Sequence, residues 1–350
     1  MRPVLLPIAL CLLSLAPPCP GEDAKRDTVR VFILAGQSNM EGKVKRELLD
    51  LQAEAPETLD LFAHLRKDGE WIQREDVFIK FLGKKGPLSV GYGSGTSSGV
   101  ELEFGNILGD HFDDPVLLIK TAWGGHSLVK DFRPPSAGIP EERIQREIEK
   151  AEKRAADPKR PGKAPDEETI RAGYGASYRK MMEEIRGTLG DMDHLFPELK
   201  GRHPEISGFL WFQGWNDMYD GAENEYRGNL VHLIRDVRKD LGKPDLPFVI
   251  GVMGQNMSQP AKGAMLAVQQ AQLTTEKEPG FENNVKAVPT DILVDKAAEA
   301  LFPEWKERMD EWRKTGSDRP YHYLGSAIWH LRMGRAFGQT MITLLEQPKG

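Results

Sequence analysis

Three stretches of the 350-residue chain carry groups suited to acyl transfer: Gly36-Gln37-Ser38-Asn39-Met40, Trp123-Gly124-Gly125-His126 and Gln213-Gly214-Trp215-Asn216-Asp217. A serine hydroxyl can attack a carbonyl, and backbone N–H groups beside glycines, with a side-chain amide, can hold the resulting oxyanion. Each stretch alone has a plainer reading. Serine is a favoured helix N-cap, glycines after strands make ordinary turns, and an Asn-Asp pair often caps a helix. The serine becomes a nucleophile only if a base reaches it. Eight histidines are available. His64, His111, His194 and His203 stand in polar surroundings typical of a surface, and His232 sits on the flank of an amphipathic segment. His126 follows the glycine pair and could border a pocket, while His322 lies in a loop before the last helical segment.

A sheet must position these groups. Continuous apolar runs at Val31-Phe32-Ile33-Leu34, Val116-Leu117-Leu118-Ile119, Ile206 to Phe212 and Phe248 to Val252 predict strands buried on both faces, as in parallel sheets. The first three run straight into the three stretches above, and the fourth ends in Met253-Gly254-Gln255-Asn256. In an open parallel sheet such ends meet at one edge, where ligands bind. Between the third and fourth strands, Tyr226, Leu230, Leu233, Ile234, Val237 and Leu241 share one helical face, stopped by Gly242 and Pro244. A closing helix from about Ser326 to Leu345 should pack on the same sheet. Strand, helix and strand in that order argue for an α/β sandwich.

The remaining segments bound the organisation. Glu41 to Val100, with its glycine-serine stretch Gly91 to Gly99, reads as surface loop near the site. Gly138 to Glu168 is dense in charge and broken by Pro158, Pro161 and Pro165, which predicts a solvated helix from Glu141 to Ala156 and a linker. Met1-Arg2, the apolar run Val4 to Ala16 and the breaker cluster Pro17-Pro18-Cys19-Pro20-Gly21 have the layout of a secretory signal peptide. The expected arrangement is a leader over residues 1–21 and one domain over 22–350, with a charged insertion at about 138–168. Lipidation at Cys19 is disfavoured by the prolines before it.

Cys11 and Cys19 are the only cysteines, so a disulfide framework, cysteine-ligated zinc and a cysteine nucleophile are excluded for the processed chain. A net charge of -6 gives no footprint for nucleic acid, and no stretch after the leader reaches the ~18 apolar residues of a membrane span. The expected protein is exported, periplasmic or secreted, and soluble.

The first motif with its strand resembles that of the SGNH hydrolases, and within them the sialate O-acetylesterase-like carbohydrate esterases. The likeness continues through Gly99-Val100-Glu101-Leu102-Glu103-Phe104-Gly105, Lys120-Thr121-Ala122-Trp123-Gly124-Gly125, Trp211-Phe212-Gln213-Gly214 and Tyr321-His322-Tyr323-Leu324-Gly325-Ser326-Ala327. The resemblance implies an α/β fold, a three-layer α/β/α sandwich around a mostly parallel, flavodoxin-like sheet. It implies Ser38 as nucleophile, His322 as base and an oxyanion N–H at Gly125. The branch commonly carries Gln-Gly-Glu-x-Asp at the third motif. Here the glutamate is absent, while Gly214-x-Asn216-Asp217 keeps the broader pattern, so Asn216 and Gln213 are both candidate oxyanion donors. The wider family places its acid three residues before the histidine, where this chain has Arg319. Asp318 stands one residue further away; Asp291, Asp295 or a dyad held by a backbone carbonyl are the alternatives. Gln37, Glu101 and Trp123 are candidate substrate contacts, and Arg133, which like Glu101 and Trp123 adjoins the motifs, is a candidate pocket residue; Trp123 reads equally as core.

The implied activity is removal of O-acetyl groups from a carbohydrate, sialic acid or an acetylated polysaccharide, without metal or cofactor. A carbohydrate-binding protein that has lost catalysis, or an esterase for non-sugar substrates, are the rival readings. His126 is the next base should His322 fail.

Overall fold

The computed structural model describes residues 27–157, 159, 162–317 and 321–347. The leader, Cys19 and Asp318 lie outside the described residues. Seven strands form one sheet: β1 (Thr28–Gly36), β2 (Val77–Phe81), β3 (Lys84–Pro87), β4 (Val116–Ala122), β5 (His203–Phe212), β6 (Phe248–Val252) and β7 (Val285–Pro289). Their spatial order is β3-β2-β4-β1-β5-β6-β7, parallel throughout except for the β2–β3 hairpin. Strand β1 is central, and its register aligns the motifs. Gly36 pairs with Ala122 of β4 on one side and Phe212 of β5 on the other. The residues that follow are therefore Gln37, Trp123 and Gln213, side by side at the carboxyl edge.

Both faces of β1 are buried, which explains its unbroken apolar run. Val29, Val31, Ile33 and Ala35 face one core with Tyr178, Met181 and Ile185 of α4 (Ala176–Gly190), Leu230, Leu233 and Ile234 of α5 (Tyr226–Asp240), and Val268 of α6 (Gly263–Thr275). Phe32 and Leu34 face the other, with Met40 of α1 (Ser38–Glu41), Phe104 and Leu108 of α2 (Glu101–His111), and Trp329, Met333, Phe337 and Met341 of α7 (Ala327–Glu346). Fully burying such side chains stabilises the fold by about 1.5–3 kcal/mol each. The result is a three-layer α/β/α sandwich. Among the described residues, no helix is long and apolar enough to cross a membrane.

Two segments differ from the sequence reading. Residues 41–100 are not only loop: they supply the β2–β3 hairpin, a two-stranded ribbon at Arg66–Lys67 and Glu70–Trp71, and the helix Arg46–Glu54. In the charged insertion, α3 (Glu141–Ala155) is more than a solvated helix. Ile144 is fully buried and packs with Ile170 and Tyr174 in a small core of its own.

Candidate active site

Strand β1 ends in a turn that only glycine can enter at position 36, because a Cβ there would collide with the Phe212 carbonyl. Gln37 is the N-cap residue of α1, with Met40 and Glu41 N–H groups donating to its carbonyl at 2.8 and 2.9 Å. Ser38 is thus the first helical residue, and its hydroxyl does no capping. The plain reading of Ser38 as a helix cap is thereby removed. Gln37 stays at the wall of the cavity above this turn, and its Oε1 accepts from Gly214 N–H at 3.1 Å and from Asn216 N–H at 3.5 Å. It ties the serine turn to the third motif.

A cavity of ≈ 330 Å³ opens over this edge, and Ser38, Gly124, Gly125, Asn216 and His322 all line it. Gly124 N–H donates to Glu41 Oε1 at 3.0 Å. Gly125 adopts a left-handed φ of 80° and has no acceptor for its N–H among the described residues. Of the two glycines, Gly125 is the one with a donor to offer.

The two candidate amides at the third motif separate clearly. Gln213 Nε2 donates to Asp217 Oδ2 at 2.6 Å and to the His126 carbonyl at 3.2 Å, and its Oε1 accepts from Tyr226 O–H at 3.1 Å. It is buried and does not line the cavity. The expectation that Gln213 could serve the oxyanion is corrected: its donors are already committed to the fold, and Asn216 is the amide at the cavity wall. Asp217 is the hub of this network. Its carboxylate also accepts from Leu128 N–H at 2.8 Å and Val129 N–H at 2.7 Å, which clasps the loop after the glycine motif. Burial pushes its pKa up to about 6, against the opposing pull of those N–H donors.

On the opposite wall, His322 is buried and leads into a short turn, Tyr323–Gly325, that Ser326 joins to α7 as N-cap. Of the alternative acids, Asp295 is occupied: Oδ1 accepts from the N–H groups of Ala297 and Ala298, and Oδ2 accepts from Ser326 O–H at 2.6 Å. His126, the reserve base, is held by Ser177 Oγ at 2.7 Å and does not line the cavity.

Three further candidate pocket residues, Glu101, Trp123 and Arg133, do not line the cavity. Glu101 is fully buried beneath the site, 2.9 Å from Lys120 Nζ, and its Oε1 accepts from Gly99 N–H at 2.8 Å. Lys120, itself fully buried, donates to the Glu41 carbonyl at 2.8 Å, so the pair braces the end of the serine helix instead of touching substrate. Trp123 lies against Phe132 and His126 behind the cavity, with Lys180 Nζ 5.3 Å from its ring centre. Arg133 pairs with Glu225 at 3.0 Å, also away from the cavity. The cavity residues that the sequence reading missed as site residues are Asn39, Lys43, Trp215, Gln255 and Tyr321. Gln255 carried a signal, because it stands at the end of the fourth strand as Ser38 and Asn216 do for theirs.

A mostly parallel sheet between two helical layers, with a serine turn at the carboxyl end of its central strand, makes a three-layer α/β/α fold. The chain belongs to the carbohydrate esterase, sialic acid-specific acetylesterase family, which it matches over residues 28–300. That span includes Ser38, Gly125 and Asn216 and stops short of His322. Among solved structures, a protein from Arabidopsis thaliana is similar at 15% identity, covering 91% of this chain and 98% of that one, with a TM-score of 0.49. A carbohydrate acetylesterase from Xanthomonas citri is similar at 14% identity over 76% of this chain and 51% of that one, TM-score 0.44. NanS is similar at 15% identity over 76% of this chain and 78% of that one, TM-score 0.42. No curated protein matches the chain closely enough to count as a relative.

Proposed function

We propose that the protein is a serine esterase that removes O-acetyl groups from a carbohydrate, sialic acid or an acetylated polysaccharide, through an acetyl-enzyme. The observation that carries this reading is the meeting of Ser38, His322, Gly125 and Asn216 at one cavity, from four separate loops. His322 takes the proton of Ser38 Oγ as the oxygen attacks the acetyl carbonyl. The oxyanion is held by the N–H groups of Ser38 and Gly125 and the side-chain amide of Asn216. Collapse breaks the C–O bond to the sugar, whose oxygen takes the proton back from the imidazolium. Water, deprotonated by His322, then attacks the acetyl carbon and releases acetate and free Ser38. Asp318 is the proposed partner that orients the imidazole and stabilises its charged form.

Acetate release from acetylated glycans by the purified protein tests the reading. Ser38→Ala and His322→Ala should each abolish turnover. Full activity in Ser38→Ala would defeat the serine mechanism, and full activity in His322→Ala would move the base elsewhere. Binding of an acetylated glycan without acetate release by the wild type would favour a binding protein.

The reading also takes the chain to be exported, with cleavage near Gly21. Amino-terminal sequencing of protein recovered from the producing cell should begin near Glu22.

A further inference from the structure

Gln255 stands on the loop that follows β6, and it lines the same cavity as Ser38 and His322. Both ends of its amide are buried, and neither Oε1 nor Nε2 has a hydrogen-bond partner among the described residues. A buried amide with both ends unmatched is rare in a folded protein and calls for an explanation. Looseness of the loop does not supply one, because the backbone around Gln255 is held on every side. Met253 N–H donates to Gln272 Oε1 at 2.9 Å, and the Met253 carbonyl accepts from Gln269 Nε2 at 2.6 Å. Gly254 N–H donates to Tyr323 O–H oxygen at 3.1 Å, and Gly254 has no room for a Cβ against Thr290. Asn256 Oδ1 accepts from Gln269 Nε2 at 2.7 Å, while Asn256 Nδ2 donates to the Gln259 carbonyl at 2.7 Å. Every neighbour is satisfied and fixed, and the one amide left unmatched is the one at the cavity.

A second unmatched amide oxygen belongs to another residue at the same cavity. Asn39 Oδ1, next to the nucleophile, is buried without a partner among the described residues and also lines the cavity. An amide edge offers one donor and one acceptor side by side. That pattern fits two neighbouring hydroxyls of a sugar, one donating to Oε1 and the other accepting from Nε2. A lipid acyl chain or a simple alkyl ester has nothing to match it, and would leave three polar atoms buried and unpaired.

We infer that Gln255, with Asn39, forms a subsite for a free vicinal diol on the acetylated sugar, and that this subsite selects polyhydroxylated acetyl esters over other acetyl esters. The inference rests on the proposed esterase reading. Because Gly254 is bonded to Tyr323, the residue after His322, the subsite is held in register with the base.

The test compares a glycan acetate bearing a free neighbouring diol with its O-methylated counterpart, in the wild type and in Gln255→Met, which keeps the length of the side chain and removes its hydrogen bonds. The wild type should prefer the free diol in kcat/KM by ~10–100-fold, the scale of two hydrogen bonds, and Gln255→Met should bring the preference close to one. Gln255→Glu, which keeps an acceptor and loses the donor, should fall between. Thermal melting of each variant checks that the fold is intact. If Gln255→Met keeps the wild-type preference while turning over acetyl esters, the subsite is wrong and the esterase reading stands. If the wild type releases acetate from no substrate, the esterase reading falls. The subsite is then decided by calorimetric binding of the unacetylated glycoside, which should weaken by the same factor in Gln255→Met and refutes the subsite if it does not.

Discussion

Gln37 Oε1 accepts a hydrogen bond from Gly214 N–H at 3.1 Å, which joins the serine turn after β1 to the loop after β5 that carries Asn216. Two loops that the proposed mechanism places on either side of the acetyl carbonyl are thereby set at a fixed separation. Gln37→Ala leaves the buried Gly214 N–H without its acceptor, a loss of about 1–3 kcal/mol. The expected outcome is a lower melting temperature together with a roughly 10-fold or greater fall in kcat, because misplacement of reacting groups is penalised steeply. Unchanged kcat with lowered stability would mean that the bond serves the fold alone.

Glu101 and Lys120 form a fully buried ion pair at 2.9 Å under the same turn, with Lys120 reaching on to the Glu41 carbonyl. Burial lowers the Lys120 pKa, and the nearby Glu101 carboxylate works to raise it. Glu101→Gln would leave the ammonium without its counter-charge, and breaking such a pair typically destabilises by about 3–5 kcal/mol. Denaturant unfolding should register that loss. The double variant Glu101→Gln/Lys120→Met should recover a large part of it, since no uncompensated charge is left buried. If the double variant is as unstable as the sum of the two single ones, the pair is not coupled.

The positions of the motifs were legible from the sequence because β1, β4, β5 and β6 are apolar on both faces and run into their loops without interruption. Strand β7 was missed for the opposite reason. It lies at the sheet edge, carries Lys286 and ends at Pro289, so it shows neither an apolar run nor a clean alternation. Strand β2 sits in a segment dominated by turns, where a short apolar patch, Val77-Phe78-Ile79, followed by Lys80, was outweighed by its surroundings.

At the site, residue types were readable but partners were not. Gln213 and Asn216 offer the same amide chemistry; Tyr226 and Asp217 decide between them, and only the folded chain brings those two onto Gln213. Glu101 is a candidate pocket residue in the sequence because it adjoins a motif; its partner Lys120 stands inside an apolar strand, where one sequence does not mark it as a counter-ion. Gln255 was visible at a strand end, yet nothing in one sequence marks a side chain that the fold leaves unmatched.

That separation of the two amides has its own measurable consequence. Asn216→Ala should cut kcat by ~10²–10³, the usual weight of one oxyanion donor, with little change in melting temperature, because its side chain is at the cavity wall. Gln213→Ala should act chiefly on stability, since it removes a partner from both Asp217 and Tyr226. Equal kcat losses in the two variants, with equal melting temperatures, would return Gln213 to the list of oxyanion donors.

His330 works against the fold as pH falls. It is buried on α7, with Nδ1 2.9 Å from the Ser326 carbonyl and its ring edge-on to Tyr323. Burial pushes its pKa down to about 4; the hydrogen bond to Ser326 opposes that shift, and the nearby Lys120 charge adds to it. The unfolded chain binds this proton near pH 6.5 and the folded chain only near 4, so His330 favours the folded state above pH 6.5 and loses that contribution as pH falls toward 4. The loss is on the order of 3 kcal/mol. Asp217 runs the other way: its folded pKa near 6 lies above the unfolded value of 3.8, so stability rises as pH falls between them, by an amount on the same order as the His330 loss. The two slopes oppose each other between pH 6 and 4. His330→Gln, which removes the depressed titration, should therefore leave the Asp217 slope unopposed, so that melting temperature rises as pH falls from 6 to 4 where the wild type stays nearly level. An identical pH profile in wild type and variant would show that His330 does not work against the fold in this range.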